Sequence, residues 1–253
     1  MLKTDLHIHT SEDWYDCDNV SYSAKQLIQE AARQKFEVLA ITHHNHVFFN
    51  REIQGYAKKK GILLISGAEA RIERADVLLI NVTNKDLPRL KRLGDLEKIK
   101  DRALIIAPHP YFFLGNCLGD KLEPNIRHFH AIEYSHFYNK FMQNRLLSFL
   151  NGNKKAEEVA RKYNKPIIGT SDAHRMYCFG TTFSWVDSAK TKDAVLEAVK
   201  KGKVRLETHP LPLHSFARRI AGVVVKERFW RLLTRTDFNS PDTCDDPHFK
   251  TFK

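Results

Sequence analysis

Cysteine is scarce and scattered in this chain. Cys17, Cys117, Cys178 and Cys244 are the four, and none stands in C-x-x-C spacing. That argues against a disulfide framework and against a zinc finger, and it makes a reducing, cytoplasmic location the expectation. No apolar run approaches the length of a membrane span, and the first residues enter a charged strand without a signal-peptide pattern. There is no G-x-S-x-G elbow and no P-loop, so neither a serine nucleophile nor a P-loop phosphate cradle is expected. Internal repeats and low-complexity tracts are also missing. Acidic residues are in deficit, 30 against 41 Lys and Arg, for a formal net charge of +11. An anionic partner such as a phosphate, nucleic acid or acidic lipid suits that excess, and a merely soluble basic surface accounts for it as well.

What is present is histidine at strand ends. The 253 residues are 42% hydrophobic, enough for one large α/β domain or two small ones with a real core. Near the start stands Asp5-Leu6-His7-Ile8-His9-Thr10. On a strand, residues two apart share a face, so His7 and His9 can grip one ion while Leu6 and Ile8 pack on the other side. A polar loop with Glu12, Asp13, Asp16 and Asp18 follows, then a helix over 23–35 with Leu27, Ile28, Ala31 and Ala32 as its apolar stripe. Strands are predicted at 36–42, 62–65, 77–82, 103–107, 131–134, 166–169 and 182–186, with helices at 48–60, 87–100, 144–163 and 192–201. This alternation predicts a parallel sheet, most simply closed as a barrel. His7 and His9, His44, Glu69, His109, His136, and Asp172 with His174 each fall on or just past the C-terminal end of a predicted strand. In barrels that rim is where active sites are built.

Imidazole and carboxylate donors without thiolates suit Zn, Mn or Fe. The donors are too numerous for one tetrahedral ion, so two or three divalent cations are expected, with Glu69 as the bridge. Such a cluster makes metal-bound water the nucleophile and clamps the oxygens of a phosphate ester. Arg71 and Arg175 lie within two residues of proposed ligands and can grip a phosphate oxygen, although an Arg paired to a nearby acid such as Glu73 is an equal alternative. His46 is either a partner of the cluster or a polar loop residue. His128 and His130 precede their strand and read as surface or packing residues.

Taken together, Asp5 to Thr10, Ile41-Thr42-His43-His44-Asn45, Gly67-Ala68-Glu69-Ala70, Pro108-His109-Pro110, the Glu133-to-His136 segment and Thr170-Ser171-Asp172-Ala173-His174 resemble the PHP (polymerase and histidinol phosphatase) family of metal-dependent phosphoesterases. The resemblance covers residues 1 to about 190. It implies a distorted (β/α)7 TIM-like barrel with a metal site, commonly trinuclear, at the C-terminal rim. It also implies that His7, His9, Glu69 and Asp172 hold one ion, Glu69, His109 and His136 the next, and His44, His174 and a first-loop residue the third. Asp13 is the preferred first-loop ligand and Asp16 the alternative. The family usually carries Asp where this chain has His43.

The expected organisation is a barrel over 1–208 followed by a basic C-terminal extension over 209–253. In that extension Phe216, Ile220, Val223, Val224, Trp230 and Leu233 alternate with Arg and Lys at near-helical spacing. A helix docked on the barrel is the ordinary explanation, and a contact to nucleic acid or an anionic membrane the sharper one. The functional expectation is hydrolysis of a phosphate ester, first a small phosphomonoester, second a nucleotide or a nucleic-acid 5′ end. The expected partner is therefore a phosphorylated small molecule or nucleotide, with nucleic acid as an option. An amidohydrolase-like C–N hydrolase and a non-catalytic binding module are the rivals from other classes.

Overall fold

A computed structural model describes residues 1–16, 19–112, 116–138, 151–213 and 215. Almost all of the 209–253 extension, and the 144–150 part of one predicted helix, lie outside the described residues. Among the described residues nine strands form one barrel-like sheet: β1 (Leu2–Ile8), β2 (Val38–Ile41), β3 (Leu63–Ile72), β4 (Ala75–Ile80), β5 (Leu104–Ala107), β6 (Ala131–Tyr134), β7 (Ile167–Gly169), β8 (Thr182–Val186) and β9 (Val204–Thr208). Their order is β7-β6-β5-β4-β3-β2-β1-β8-β9.

Alternation along each strand sorts side chains into layers. Leu6, Val38, Ala40, Ile65, Leu78, Ile106 and Ile168 fill the interior. The helix α5 (Lys192–Lys200) adds Val195, Leu196 and Val199 to the same cluster. The intervening residues face outward. Leu39 and Ile41 pack with Leu27, Ile28 and Ala31 of α1 (Ala24–Arg33) and with Ile53 and Ala57 of α2 (Arg51–Lys59). Leu79, Ile105 and Ile132 pack with Ala156, Val159 and Ala160 of α4 (Gly152–Lys162). The four-residue α3 (Leu122–Asn125) lies between β5 and β6.

The strand β9 is absent from the sequence expectation, and four further features depart from it. The sheet is mixed rather than parallel, because the pairs β3–β4, β4–β5, β1–β8 and β8–β9 are antiparallel. The β3–β4 connection is a two-residue hairpin with φ +49° at Glu73 and +66° at Arg74. That geometry normally selects Asn or Gly, so Glu-Arg carries no turn signal. In place of the helix predicted at 87–100 there are two 3-10 stretches, Leu87–Arg89 and Leu93–Lys98, where Pro88 and Gly94 disfavour a continuous α-helix. Finally, β1 contains a bulge: between Asp5 and Ile8 it spends three residues where β2 spends two. Side-chain parity flips there, so Leu6 belongs to the interior while Ile8 joins the outer layer against α1. The two do not share the face expected for them. Asp5 serves the bulge, its Oδ1 accepting from the N–H of His7 at 3.2 Å and of Ser171 at 3.1 Å. Burial pushes its carboxyl up to about 7, against the pull of those hydrogen bonds.

Where the sheet comes round on itself, a hydroxyl ties β8 to β7 among the described residues. Ser184 Oγ accepts from Gly169 N at 2.8 Å and donates to Gly169 O at 3.1 Å, so a side chain on β8 substitutes for ladder bonds to β7. Gly169 is required there, since a Cβ would stand 2.8 Å from Phe183 O and 2.3 Å from Leu206 Cδ1. Among the described residues no helix is long and apolar enough to cross a membrane. Ser184→Ala is expected to cost about 1–3 kcal/mol, because Gly169 N–H is then buried without an acceptor. Urea denaturation measures this, and a loss below about 0.5 kcal/mol would show that closure rests on other contacts.

Candidate metal centre

The bulge in β1 delivers His7 and His9 to the mouth of the barrel. His44 follows β2, Glu69 lies within β3, His109 follows β5, and Asp172 and His174 follow β7. Backbone bonds lock these ends together. Asn45 N donates to Glu69 O, Glu69 N to His43 O, and His9 N to Ala173 O. His109 at φ +26° and Asp172 at φ +41° both sit in the left-handed region, a cost that persists because neighbouring elements fix these residues.

Four imidazoles share one arrangement. Each anchors Nδ1 on an outer acceptor and turns Nε2 inward. His7 Nδ1 meets Glu133 Oε1 at 2.8 Å, His9 Nδ1 meets Asp13 Oδ2 at 2.8 Å, His44 Nδ1 meets the same Asp13 oxygen at 3.0 Å, and His174 Nδ1 meets the carbonyl of Asp172 at 3.0 Å. Such partners fix tautomer and ring orientation. The inward atoms converge. His7 Nε2 and His9 Nε2 are 3.3 Å apart. Glu69 Oε2 lies 3.4 and 3.3 Å from them, and Asp172 Oδ1 3.5 and 3.4 Å. A tetrahedral ion with ligand bonds of about 2.0–2.1 Å spaces its donors about 3.3–3.4 Å apart. These five separations are close to that spacing, and the buried Asp172 Oδ1 has no hydrogen-bond partner among the described residues. The residues therefore fit a divalent cation.

Around this set, His44 Nε2 stands 3.2 Å from Glu69 Oε2 and His109 Nε2 3.1 Å from Glu69 Oε1, so both oxygens of Glu69 are engaged from different sides. Donor atoms of His9, His44 and His174 lie within 4.8 Å of one another, as do those of Glu69, Asp76 and His109. Of the two first-loop acids, Asp13 faces the outer nitrogens of His9 and His44, whereas Asp16 Oδ2 reaches His174 Nε2 at 2.6 Å. His136 is buried beyond β6 with its ring edge-on to Phe137, and it belongs to none of the three donor groups of the described residues.

Charge in the pocket is mutually compensated. Burial alone pushes the His7 imidazole down, yet Glu133, Asp172 and Glu69 outweigh it and hold the ring well above its ordinary range. Burial likewise pushes the Glu69 and Asp172 carboxyls up, and the surrounding imidazoles, His7 foremost, hold both well below it. For His109 burial is again overcome, chiefly by Glu69, and its pKa rises to about 9. His43 differs. Burial brings it down to about 3, its Nε2 meets Thr10 Oγ1 at 2.8 Å, and its ring stacks on Phe48. It is a neutral support for the loop rather than a member of the donor set. His46 is half-buried on the same loop. Arg71 is taken by Asp76, Nε to Oδ1 at 2.6 Å, while Arg175 is half-buried beside His174 and meets no carboxylate among the described residues.

Glu133, Asp76 and Asp5 were not singled out as site residues from sequence. The available signal was a lone acid inside an otherwise apolar strand, as in Ala131–Tyr134 and Ala75–Ile80.

In sequence, residues 151–204 match the PHP-associated family PHP_C. The uncharacterized protein MJ1587 of Methanocaldococcus jannaschii is 31% identical over 130 residues, 48% of this chain and 75% of that protein. With its motifs in order and this match, the chain belongs to the PHP family. In structure it is similar to PsfC from Pseudomonas syringae, with a TM-score of 0.55 and 17% identity over 91% of this chain and 98% of that one, which is a likeness of fold. A candidate metal-dependent phosphoesterase from Bifidobacterium adolescentis covers 68% of this chain and 87% of its own, and an amidohydrolase from Chromobacterium violaceum 85% and 96%. Both stand at a TM-score of 0.46 and 12% identity, too distant to bear on the chemistry.

Glu133→Ala removes one fully buried carboxylate from three donors, the His7 ring, the His109 N–H and the Thr170 hydroxyl. We expect a loss of about 3–5 kcal/mol in urea unfolding, and a loss under about 1 kcal/mol would contradict the assigned role.

Proposed function

We propose that this protein is a metal-dependent phosphoesterase, hydrolysing first of all a small phosphomonoester. The observation that carries the proposal is the convergence of four inward donor atoms, His7 Nε2, His9 Nε2, Glu69 Oε2 and Asp172 Oδ1, at 3.3–3.5 Å. His44, His174 and Asp16 on one side, and Glu69 with His109 on the other, provide for a second and a third ion. Divalent cations held by such donors supply Lewis acidity, acidifying water and neutralising the charge of a phosphate.

The chain's own residues do the rest. Glu133 and Asp13 hold His7 and His9 with their inner nitrogens forward. Arg175, next in sequence to His174, half-buried and without a carboxylate partner among the described residues, is our candidate to take a phosphate oxygen in a bidentate grip. Arg71, already engaged by Asp76, is the weaker candidate for that task. A water or a nearby histidine protonates the leaving oxygen, and His46, half-buried on the loop after β2, is one such histidine. An open surface hollow of about 590 Å³ beside the His109 loop, lined by Tyr111, Phe112, Cys117, Asn151, Lys154 and Lys155 among others, offers room for the leaving group. It adjoins a smaller one that His109 itself lines.

The test is a panel of phosphomonoesters, dinucleotides and 5′-phosphorylated RNA, scored for phosphate and nucleotide release before and after chelation. Phosphomonoester turnover should vanish on chelation and return with Mn²⁺ or Zn²⁺. His9→Ala should lower kcat/KM by about 100-fold or more while the protein stays folded. Turnover that survives chelation, or release of ammonia from amide substrates with none of phosphate, would refute the proposal.

A further inference from the structure

Asp76 lies outside every ligand set that the sequence motifs define, yet it stands at the centre. Glu69 and Arg71 are two apart on β3 and share a face, and Asp76 is the ladder partner of Arg71 on β4, so its side chain turns to the same face. Asp76 is buried, with 5% of its surface exposed. Its backbone N–H is anchored on Asn116 O at 2.7 Å, and Arg71 Nε holds its Oδ1 at 2.6 Å. Donor atoms of Asp76, Glu69 and His109 all lie within 4.8 Å of one another. Arg71 engages only Oδ1 of Asp76, while Glu69 is met by imidazoles, so the second oxygen of Asp76 is not needed for that ion pair. His109 turns Nε2 to Glu69 Oε1 at 3.1 Å, and its buried Nδ1 has no hydrogen-bond partner among the described residues.

We infer that Asp76 is a ligand of the cation position shared by Glu69 and His109, its ion pair with Arg71 being a separate, structural contact. The inference rests on the metal reading above. That position is then dominated by carboxylate oxygen and suits a hard divalent cation such as Mn²⁺. The set of His7, His9, Glu69 and Asp172 is half imidazole and suits Zn²⁺. The two positions differ in kind.

The experiment is Mn²⁺ titration of chelator-stripped wild type, Asp76→Asn and Arg71→Met. Bound ion is counted by elemental analysis after gel filtration, and folding is checked by circular dichroism. Asp76→Asn should lose one Mn²⁺ equivalent, or bind it about 10-fold or more weakly, while Arg71→Met keeps the wild-type number. Unchanged stoichiometry and affinity in Asp76→Asn would overturn the inference and leave the metal centre intact. Equal losses in the two variants would also overturn it, since the ion pair and not the ligand would then be what matters. Wild type that binds neither Mn²⁺ nor Zn²⁺ would overturn the metal reading itself. Should Asp76→Asn not fold because Arg71 is left unpaired, the double variant with Arg71→Met replaces it, with the same two decisive outcomes.

Discussion

One buried carboxylate holds the mouth of this barrel together. Glu133 accepts from the His7 ring, from the backbone of His109 and from the hydroxyl of Thr170, and so joins the ends of β1, β5 and β7 to its own strand β6. It is completely buried, so each of these bonds forms in a low-dielectric setting where a missing partner is costly. The donor cluster inherits its geometry from this arrangement. A His7 ring free to turn would lose the 3.3 Å approach of its Nε2 to that of His9.

The same logic extends outward through a second carboxylate. Asp13 meets the outer nitrogens of both His9 and His44, and thereby sets two more rings. Inner atoms and outer atoms are thus different residues with different tasks. The inner set, with Glu69 at its centre, gathers charge into one place. The outer set, Glu133 and Asp13, decides which nitrogen looks inward. Neutral His43, stacked on Phe48 and bonded to Thr10, belongs with the outer supports.

Much of this was legible in the sequence, because histidine at the ends of apolar runs is an uncommon pattern with a chemical meaning. His7, His9, Glu69 and Asp172 do meet, as do His44 and His109 with Glu69. What stayed hidden depends on backbone irregularity. The bulge in β1 separates Leu6 from Ile8, and simple alternation does not foresee it. The Glu73-Arg74 hairpin reverses a strand without a glycine or asparagine to announce it, and this reversal brings Asp76 across from Arg71. The strand β9 and the closure through Ser184 depend on contacts far apart in the chain, which local pattern does not carry.

The central claim is that these side chains share cations. Anomalous diffraction from crystals grown with Zn²⁺ or Mn²⁺ tests it most directly. The account predicts a strong anomalous peak bounded by His7 Nε2, His9 Nε2, Glu69 Oε2 and Asp172 Oδ1. Ions bound only elsewhere on the surface, with those four atoms hydrogen-bonded among themselves, would contradict it.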